Sequence, residues 1–180
     1  MRRFLLRFSL AAGLLLSAYY FPYDSRGLVS ALLRLYLTSY AHLAGAAISL
    51  FDPNVHVEGT HILGRMSLEF ALSCDAMDVL LLFVSATFAF PASWRWRALG
   101  VGAACLSLLT INVARIVSLY FIGLYAPSKF EFFHMQIFPL AIVILAAVAF
   151  VAWTRLAGRA SAVQGPGAAA GGGARAAVQA

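Results

Sequence analysis

Long apolar runs set the main constraint on how this chain can fold. Strongly hydrophobic segments recur at residues 4–20, 76–91, 98–121 and 135–153. A run of about 20 apolar residues is what a helix needs to cross the hydrocarbon core of a bilayer. The composition agrees, because 62% of the residues are hydrophobic and only 11% are charged, less than half of the share of about 25% in soluble domains. We therefore expect an integral membrane protein in a lipid bilayer.

The basic residues gather beside the ends of these apolar runs. The members of the three clusters are Arg2, Arg3 and Arg7, then Arg95 and Arg97, then Arg155 and Arg159. This spacing is typical of positive charge that is retained in the cytoplasm. The net charge of +6 is thus explained by membrane orientation, and no nucleic-acid partner is expected.

The two ends of the chain call for separate interpretations. Arg2 and Arg3 followed by an apolar run are similar to a cleaved signal peptide. No small-residue cleavage site follows, however, and the aromatic cluster at residues 19–22 is typical of an interfacial anchor. We therefore predict a retained spanning helix. Residues 157–180 are rich in Ala and Gly and predict a disordered cytoplasmic tail, which leaves residues 1–156 as one membrane-embedded domain.

Residues 28–51 carry a polar stripe on an apolar background. Ser30, Arg34, Thr38 and His42 recur at four-residue steps, which places them on one face of a helix. Such a helix can lie in the plane of the interface. A fifth crossing here would also move the next basic cluster to the outer side. We predict an amphipathic or half-buried helix at the outer face, with a spanning helix whose stripe faces the bundle interior as the alternative.

Residues 52–73 break the helical pattern. Residues 55–58 alternate as a strand does, and residues 61–63 and 66–70 could pair as a hairpin across Gly64 and Arg65. No cysteine or third histidine lies nearby to complete a metal site with His56 and His61, so we interpret both histidines as solvated. The predicted fold class is an all-α integral membrane bundle of about four transmembrane helices, with one amphipathic helix and a small extracytoplasmic β-hairpin-like element.

Three ionisable side chains are predicted at one membrane depth. Cys74 precedes the run at 76–91, Arg115 lies late in the run at 98–121, and His134 follows an aromatic-rich loop at residues 129–133. Ionisable groups near a bilayer core are costly and mark functional sites. Asn112 lies three residues before Arg115 and shares its helix face. A thiol, an imidazole and a guanidinium together suit acyl transfer at a peptide bond.

Simpler interpretations exist for each of these residues. Arg115 could snorkel to the headgroups, Cys74 could be a small buried apolar residue, and His134 could sit at an ordinary helix start. Asn112 beside Arg115 favours an inward, hydrogen-bonded surface instead. Cys105 lies in the inner half of its run, too far in depth for a disulfide with Cys74, so a thiol redox protein is not expected.

The ordered motifs resemble those of the exosortase/archaeosortase family. The resemblance covers about residues 35–144, which is most of the folded chain. Its motifs are the stretch Val55-His56-Val57-Glu58-Gly59, then Glu69, Cys74, the run Asn112-Val113-Ala114-Arg115, and His134. Two departures stand out: Asp75-Ala76 replaces the usual Ser-Gly after the cysteine, and the chain is compact, as in the exosortase H type.

The resemblance implies a catalytic site and a cellular setting. It assigns Cys74 as nucleophile, His134 to proton transfer and Arg115 to oxyanion stabilisation, with no cofactor and no metal. The implied enzyme is a cysteine endopeptidase or transpeptidase of the bacterial inner membrane, multi-pass and with its site facing outward. Its implied partner is the C-terminal sorting-signal tail of an exported protein. The alternative is a non-enzymatic scaffold or assembly factor for envelope polysaccharide export.

Overall fold

A computed structural model gives the fold of the chain. It describes residues 1–24, 26–70 and 76–163, without the side chains of residues 160–163. Cys74 and Asp75 therefore lie outside the described residues, and so does the part of the predicted tail beyond residue 163.

Most of the described chain is helical. The helices are α1 (Arg2–Tyr19), α2 (Leu28–Ser49), α3 (Met77–Ala89), α4 (Trp94–Tyr125), α5 (Pro127–Phe132) and α6 (Phe138–Val163), with a π-helical segment at Phe133–Ile137 between the last two. A three-stranded sheet lies between α2 and α3 in the chain.

Two helical segments in the described part have the length and apolarity of membrane spans. They are Trp94–Tyr125, with a mean hydropathy of 1.8, and Pro127–Arg159, with 2.5. The 13 residues of α3 extend only about 20 Å at about 1.5 Å per residue, against a hydrocarbon core of about 30 Å. The helices expected at residues 4–20 and 76–91 do form, as α1 and α3, but their crossing of the bilayer stays a prediction.

The packing gathers the basic clusters at one end of the bundle. At this end Trp153 Nε1 of α6 donates to the Trp96 carbonyl of α4 at 2.9 Å, and the Trp153 ring meets Phe90 at 5.5 Å, just after α3. At the other end Tyr20, following α1, donates to Asp78 in the first turn of α3 at 2.6 Å. Because α1 runs antiparallel to α3, its arginine-rich start also points to the Trp153 end.

The sheet confirms the predicted hairpin and pairs it with the strand expected at residues 55–58. Its order is β1 (His56–Glu58), β2 (His61–Leu63) and β3 (Leu68–Glu69), with both pairs antiparallel. Gly59 turns the chain between β1 and β2 with φ +61°, a backbone conformation that glycine adopts without steric cost. The residues expected to alternate at 55–58 thus join the same sheet.

An apolar core fixes the sheet against α2 and α4. Tyr40, Ala41, Ala44 and Ile48 of α2 are buried there; the core is completed by Ile62, Phe70, Ile116 and Tyr120. Gly45 permits close approach of α2, since a Cβ at this position would collide with the Val57 side chain of β1. The sheet is therefore a packed platform at the end of the bundle away from the basic clusters.

The polar stripe of α2 divides between exposed and half-buried residues. Arg34 and His42 are exposed, whereas the buried residues of α2 lie on the face that packs against the core. Ser30 and Thr38 are half-buried, so the alternative of an inward-facing stripe also stays a prediction. That α2 lies in the outer interface stays a prediction.

Two boundaries differ from the predicted ones. The loop expected at residues 129–133 is wrong, because α5 begins at Pro127 and the chain stays helical from there into α6. A proline at the first helical position is already preorganised for a helix and has no N–H to leave unsatisfied. In addition, α6 extends to Val163, past the predicted start of the tail at residue 157.

Candidate functional site

Arg115 and Asn112 lie on the buried face of α4. Asn112 is fully buried and Arg115 is only 7% exposed. The Arg115 guanidinium donates from Nη1 to Asn112 Oδ1 and from Nη2 to the backbone carbonyl of His134, both at 3.4 Å. The structure therefore brings together three of the four residues singled out from the sequence.

Tyr40 of α2 joins this group, although the sequence analysis missed it. Its hydroxyl accepts a hydrogen bond from Asn112 Nδ2 at 3.2 Å and donates one to the Leu109 carbonyl at 3.0 Å. Its ring stacks on Phe70 with centroids 4.9 Å apart. The sequence feature that could have indicated Tyr40 is its position beside the small residues of α2. Small residues allow helices to pack closely, and a tyrosine hydroxyl buried in such packing needs hydrogen-bond partners.

His134 lies in the π-helical segment rather than at the start of a helix. The imidazole stacks on Phe130, with centroids 5.6 Å apart and an interplanar angle of 13°. Its Nδ1 is buried and has no hydrogen-bond partner among the residues that the structure describes. Short π-helical insertions concentrate at functional sites because they re-aim side chains. Here the insertion directs the His134 carbonyl to Arg115 and leaves a ring nitrogen available.

A cavity of about 300 Å³ lies beside His134. Its polar side chains are His134, Ser67 and Glu69, and its remaining lining is apolar. The apolar residues are Ile62, Met66, Leu68, Phe70, Ile116, Leu119 and Phe130. Glu69, to which the sequence alone gave no role, thus faces the same space as His134.

The start of α3 has an unusual backbone. Ala76, its N-cap residue, has φ 58° and ψ 16°, which is the left-handed region. A Cβ makes this conformation unfavourable by about 1–2 kcal/mol. Ala76 also borders the small cavity that Tyr40 lines. Asp78 in the next turn accepts the bond from Tyr20 described above, so this acid connects α1 to the start of α3.

A second buried pair supports the sheet. Tyr120 of α4 donates its hydroxyl to Asp52 Oδ2 at 2.9 Å, and Asp52 is only 4% exposed. This bond is the main cause that holds the pKa of the Asp52 carboxyl below its ordinary value. Hydrogen bonds from Asn54 and the charge of Arg65 lower the pKa further, whereas desolvation raises it. The pair therefore ties the end of α2 to α4 beneath the sheet.

Comparison with known proteins identifies one family. The model of the transmembrane exosortases (Exosortase_EpsH) matches residues 2–153, which is most of the chain. Neither the curated proteins nor the solved structures gave a match.

Proposed function

Because this chain belongs to the transmembrane exosortase family, we propose that it is a membrane cysteine endopeptidase, acting as a transpeptidase, on C-terminal sorting signals. The substrate is the tail of an exported protein: a short recognition motif, one membrane helix and a basic end. The chemistry is acyl transfer from the scissile peptide bond to Cys74.

One observation carries this proposal: the described chain on both sides of Cys74 lies next to Tyr40. Phe70, four residues before Cys74 in the sequence, stacks on Tyr40, and Ala76, two residues after it, lines a cavity with Tyr40. Two residues of chain reach at most about 7 Å. Tyr40 accepts a hydrogen bond from Asn112, and Asn112 in turn accepts one from Arg115. We infer that the thiol acts beside Arg115 and His134.

Each side chain has a defined task in the proposed reaction. His134 takes the thiol proton, and the Cys74 sulfur attacks the scissile carbonyl carbon to form a C–S bond. The carbonyl electron pair moves to oxygen, where the Arg115 guanidinium donates hydrogen bonds to the developing charge. The C–N bond then breaks, and His134 returns the proton to the departing amine.

The resulting thioester is resolved by a second nucleophile. Water or an acceptor amine attacks the thioester carbon and gives its proton to His134. The C–S bond breaks and Cys74 leaves as thiolate. His134 then returns the proton to the Cys74 sulfur, which restores the thiol and the neutral imidazole. No cofactor or metal takes part in these steps.

The exposed surface of α6 fits a substrate that is itself a membrane helix. Only 6% of the apolar window in Pro127–Arg159 is buried inside the protein, so lipid or a second helix covers the rest. A tail helix lying there would carry its recognition motif to the depth of His134. Holding both reactants in one membrane supplies much of the effective concentration.

The charge distribution supports a site that faces outward. The basic clusters of α1, α4 and α6 lie at the bundle end opposite the sheet and His134, and positive loops are retained in the cytoplasm. We therefore propose a multi-pass protein of the bacterial inner membrane with the cavity open to the periplasmic side.

A reporter assay tests this function. The reporter is an exported domain followed by a randomised eight-residue segment, an apolar helix and three arginines, and its release from the membrane is measured. We expect the wild-type protein to release a subset of this library, and Cys74→Ala, Arg115→Ala and His134→Ala to release none of it at normal insertion levels. Cys105→Ala, which changes the exposed thiol of α4, serves as the matched control. Equal release by Cys74→Ala and wild type, or no release by wild type, would leave the scaffold function standing.

A further inference from the structure

The free edge of β3 forms one wall of the cavity beside His134. Five consecutive residues, 66–70, line this cavity. A strand turns alternate side chains to opposite faces of its sheet. Leu68 and Phe70 share one face of the sheet with Ile62 of β2, which also lines the cavity, whereas Ser67 and Glu69 alternate with them. The cavity therefore covers that face and reaches around the edge of β3.

The hydrogen-bond register shows which backbone groups this edge presents. Phe70 N–H donates to the Thr60 carbonyl at 2.9 Å, and Leu68 is opposite Ile62. Neighbouring residues of an antiparallel strand direct their N–H and C=O groups to opposite sides. The N–H and C=O of Glu69 therefore point away from β2, and no hydrogen bond reaches either group from the part of the chain that the structure describes.

The surroundings of this edge distinguish a peptide from other occupants. Ile116, Leu119 and Phe130 form an apolar wall across from β3, and His134 adds a polar group. The cavity volume of about 300 Å³ equals that of the smallest typical ligand sites, which span about 300–1,000 Å³. A lipid acyl chain would leave the Glu69 N–H and C=O unsatisfied at a cost, because it carries no hydrogen-bonding groups. An extended peptide satisfies these groups and places an apolar side chain against the wall.

We propose that the recognition segment of the substrate binds as a fourth strand on β3. The inference rests on the proposed function and names how that site reads its substrate. The Glu69 N–H donates to a substrate carbonyl, and the Glu69 C=O accepts from a substrate N–H. An apolar substrate side chain fills the cavity between β3 and α4, and the strand leads the scissile bond toward His134. Main-chain bonds of this kind give affinity, and the pocket for alternate side chains gives specificity.

The first test alters the edge of the protein. Glu69→Pro removes the outward N–H without breaking a bond to β2, and proline is tolerated on edge strands. Glu69→Thr changes the same side chain but keeps the N–H. With one reporter selected from the library above, we expect Glu69→Pro to slow release about tenfold more than Glu69→Thr does, as for one or two lost hydrogen bonds. Equal rates for the two variants at equal insertion would overturn the proposal.

The second test alters the substrate and leaves the protein unchanged. Synthetic peptides with the selected eight-residue segment carry one ester in place of one amide at each position in turn, and cleavage by the wild-type protein in detergent is measured. A fourth strand predicts that the largest loss of kcat/KM falls at the one position whose N–H meets the Glu69 carbonyl, with little loss at the two adjacent positions, because neighbouring N–H groups point away from β3. A loss at every position alike, or at none, would overturn strand addition even if Glu69→Pro fails to insert.

The outcomes separate this inference from the proposed function. Release that depends on Cys74, together with a flat ester scan, refutes the fourth strand alone. Release that Cys74→Ala does not diminish refutes the proposed function. A binding measurement tests the strand without relying on catalysis, with the all-amide peptide carrying a fluorescent label. If the Cys74→Ala protein retains this peptide and the Cys74→Ala, Glu69→Pro protein does not, the fourth strand is supported. A second copy of the chain on β3 would instead give dimers that Glu69→Pro dissociates, and that result counts against a peptide occupant.

Discussion

Removal of one oxygen atom from Tyr40 is expected to weaken both the fold and the site. In Tyr40→Phe the ring keeps its stack on Phe70, but Asn112 Nδ2 loses its acceptor and the Leu109 carbonyl loses its donor. The bond from Asn112 is buried, and loss of a buried hydrogen-bond partner costs about 1–3 kcal/mol. The bond to the Leu109 carbonyl is only partly buried, and this carbonyl lies within α4, where it also accepts a helical bond. We therefore expect the free energy of unfolding to fall by about 1–3 kcal/mol.

The assay for this change is thermal unfolding in detergent micelles with Tyr125→Phe as the control. Tyr125 is 70% exposed on the same bundle, so loss of its hydroxyl is expected to change the stability by less than about 0.5 kcal/mol. For a chain of this size, a loss of about 2 kcal/mol lowers the melting temperature by about 4–8 °C.

Catalysis supplies a second readout for Tyr40→Phe. Asn112 helps to hold the Arg115 guanidinium, so a looser Asn112 misplaces the group proposed to stabilise the transition state. We expect kcat to fall by about tenfold with KM little changed, because the interaction lost is one made in the transition state. A Tyr40→Phe protein as stable and as active as Tyr125→Phe would refute the reasoning that this hydroxyl organises the site.

Further predictions concern the backbone before α3, the pair beneath the sheet and the arginine. Ala76→Gly removes the Cβ from a residue in the left-handed region, so we expect thermal stability to stay unchanged or to rise. Ala103→Gly, at an exposed position within α4, is expected to lower the free energy of unfolding by about 1 kcal/mol. Equal losses in the two variants would contradict backbone strain at Ala76. The Asp52 pKa is lowered from 3.8, so its contribution to stability is present above about pH 4 and is lost as pH falls through the lower folded pKa. Asp52→Asn is expected to flatten the acid side of the stability profile, measured by unfolding at successive pH values, and an unchanged acid slope would exclude the Tyr120 bond as its source. Arg115→Lys keeps the charge but loses the planar fork of donors, so kcat in the reporter peptide assay should fall nearly as far as in Arg115→Ala; full activity of Arg115→Lys would show that charge alone suffices.

The periodicity of apolar residues made the helices predictable. Their exact boundaries were less predictable, because these depend on a few residues at each helix end. The apolar runs located α4 and α6 because hydrophobicity dominates long segments, and Gly64 and Arg65 marked the turn between β2 and β3. The start of α5 was missed because the polar residues Ser128 and Lys129 suggest a loop, while Pro127 at the first helical position favours a helix.

In the candidate site, the polar residues of α4 were predictable and the tyrosine of α2 was not. Arg115 and Asn112 stood out because polar groups are costly in an apolar helix, and their shared face follows from their spacing. Tyr40 was not predictable from spacing, because its role depends on how α2 packs against α4. The free edge of β3 was equally hidden, since it follows from the register of three short strands and from no single residue.

The left-handed backbone at Ala76 bears on one of the two motif departures. In the Ser-Gly that usually follows the cysteine in the motifs that this chain resembles, glycine stands at this position, and glycine adopts positive φ freely. Here alanine takes that conformation. The start of α3 thus holds alanine in a conformation that glycine adopts more readily.

Trapping of the acyl intermediate tests the central claim most directly. The purified protein is incubated with a cleavable reporter peptide and hydroxylamine, which converts a thioester to a hydroxamate, and the products are identified by mass spectrometry. The account predicts a hydroxamate at the new C-terminus with the wild-type protein and with Cys105→Ala, and none with Cys74→Ala. A hydroxamate formed by Cys74→Ala, or an acyl group found on Cys105 instead, would contradict it.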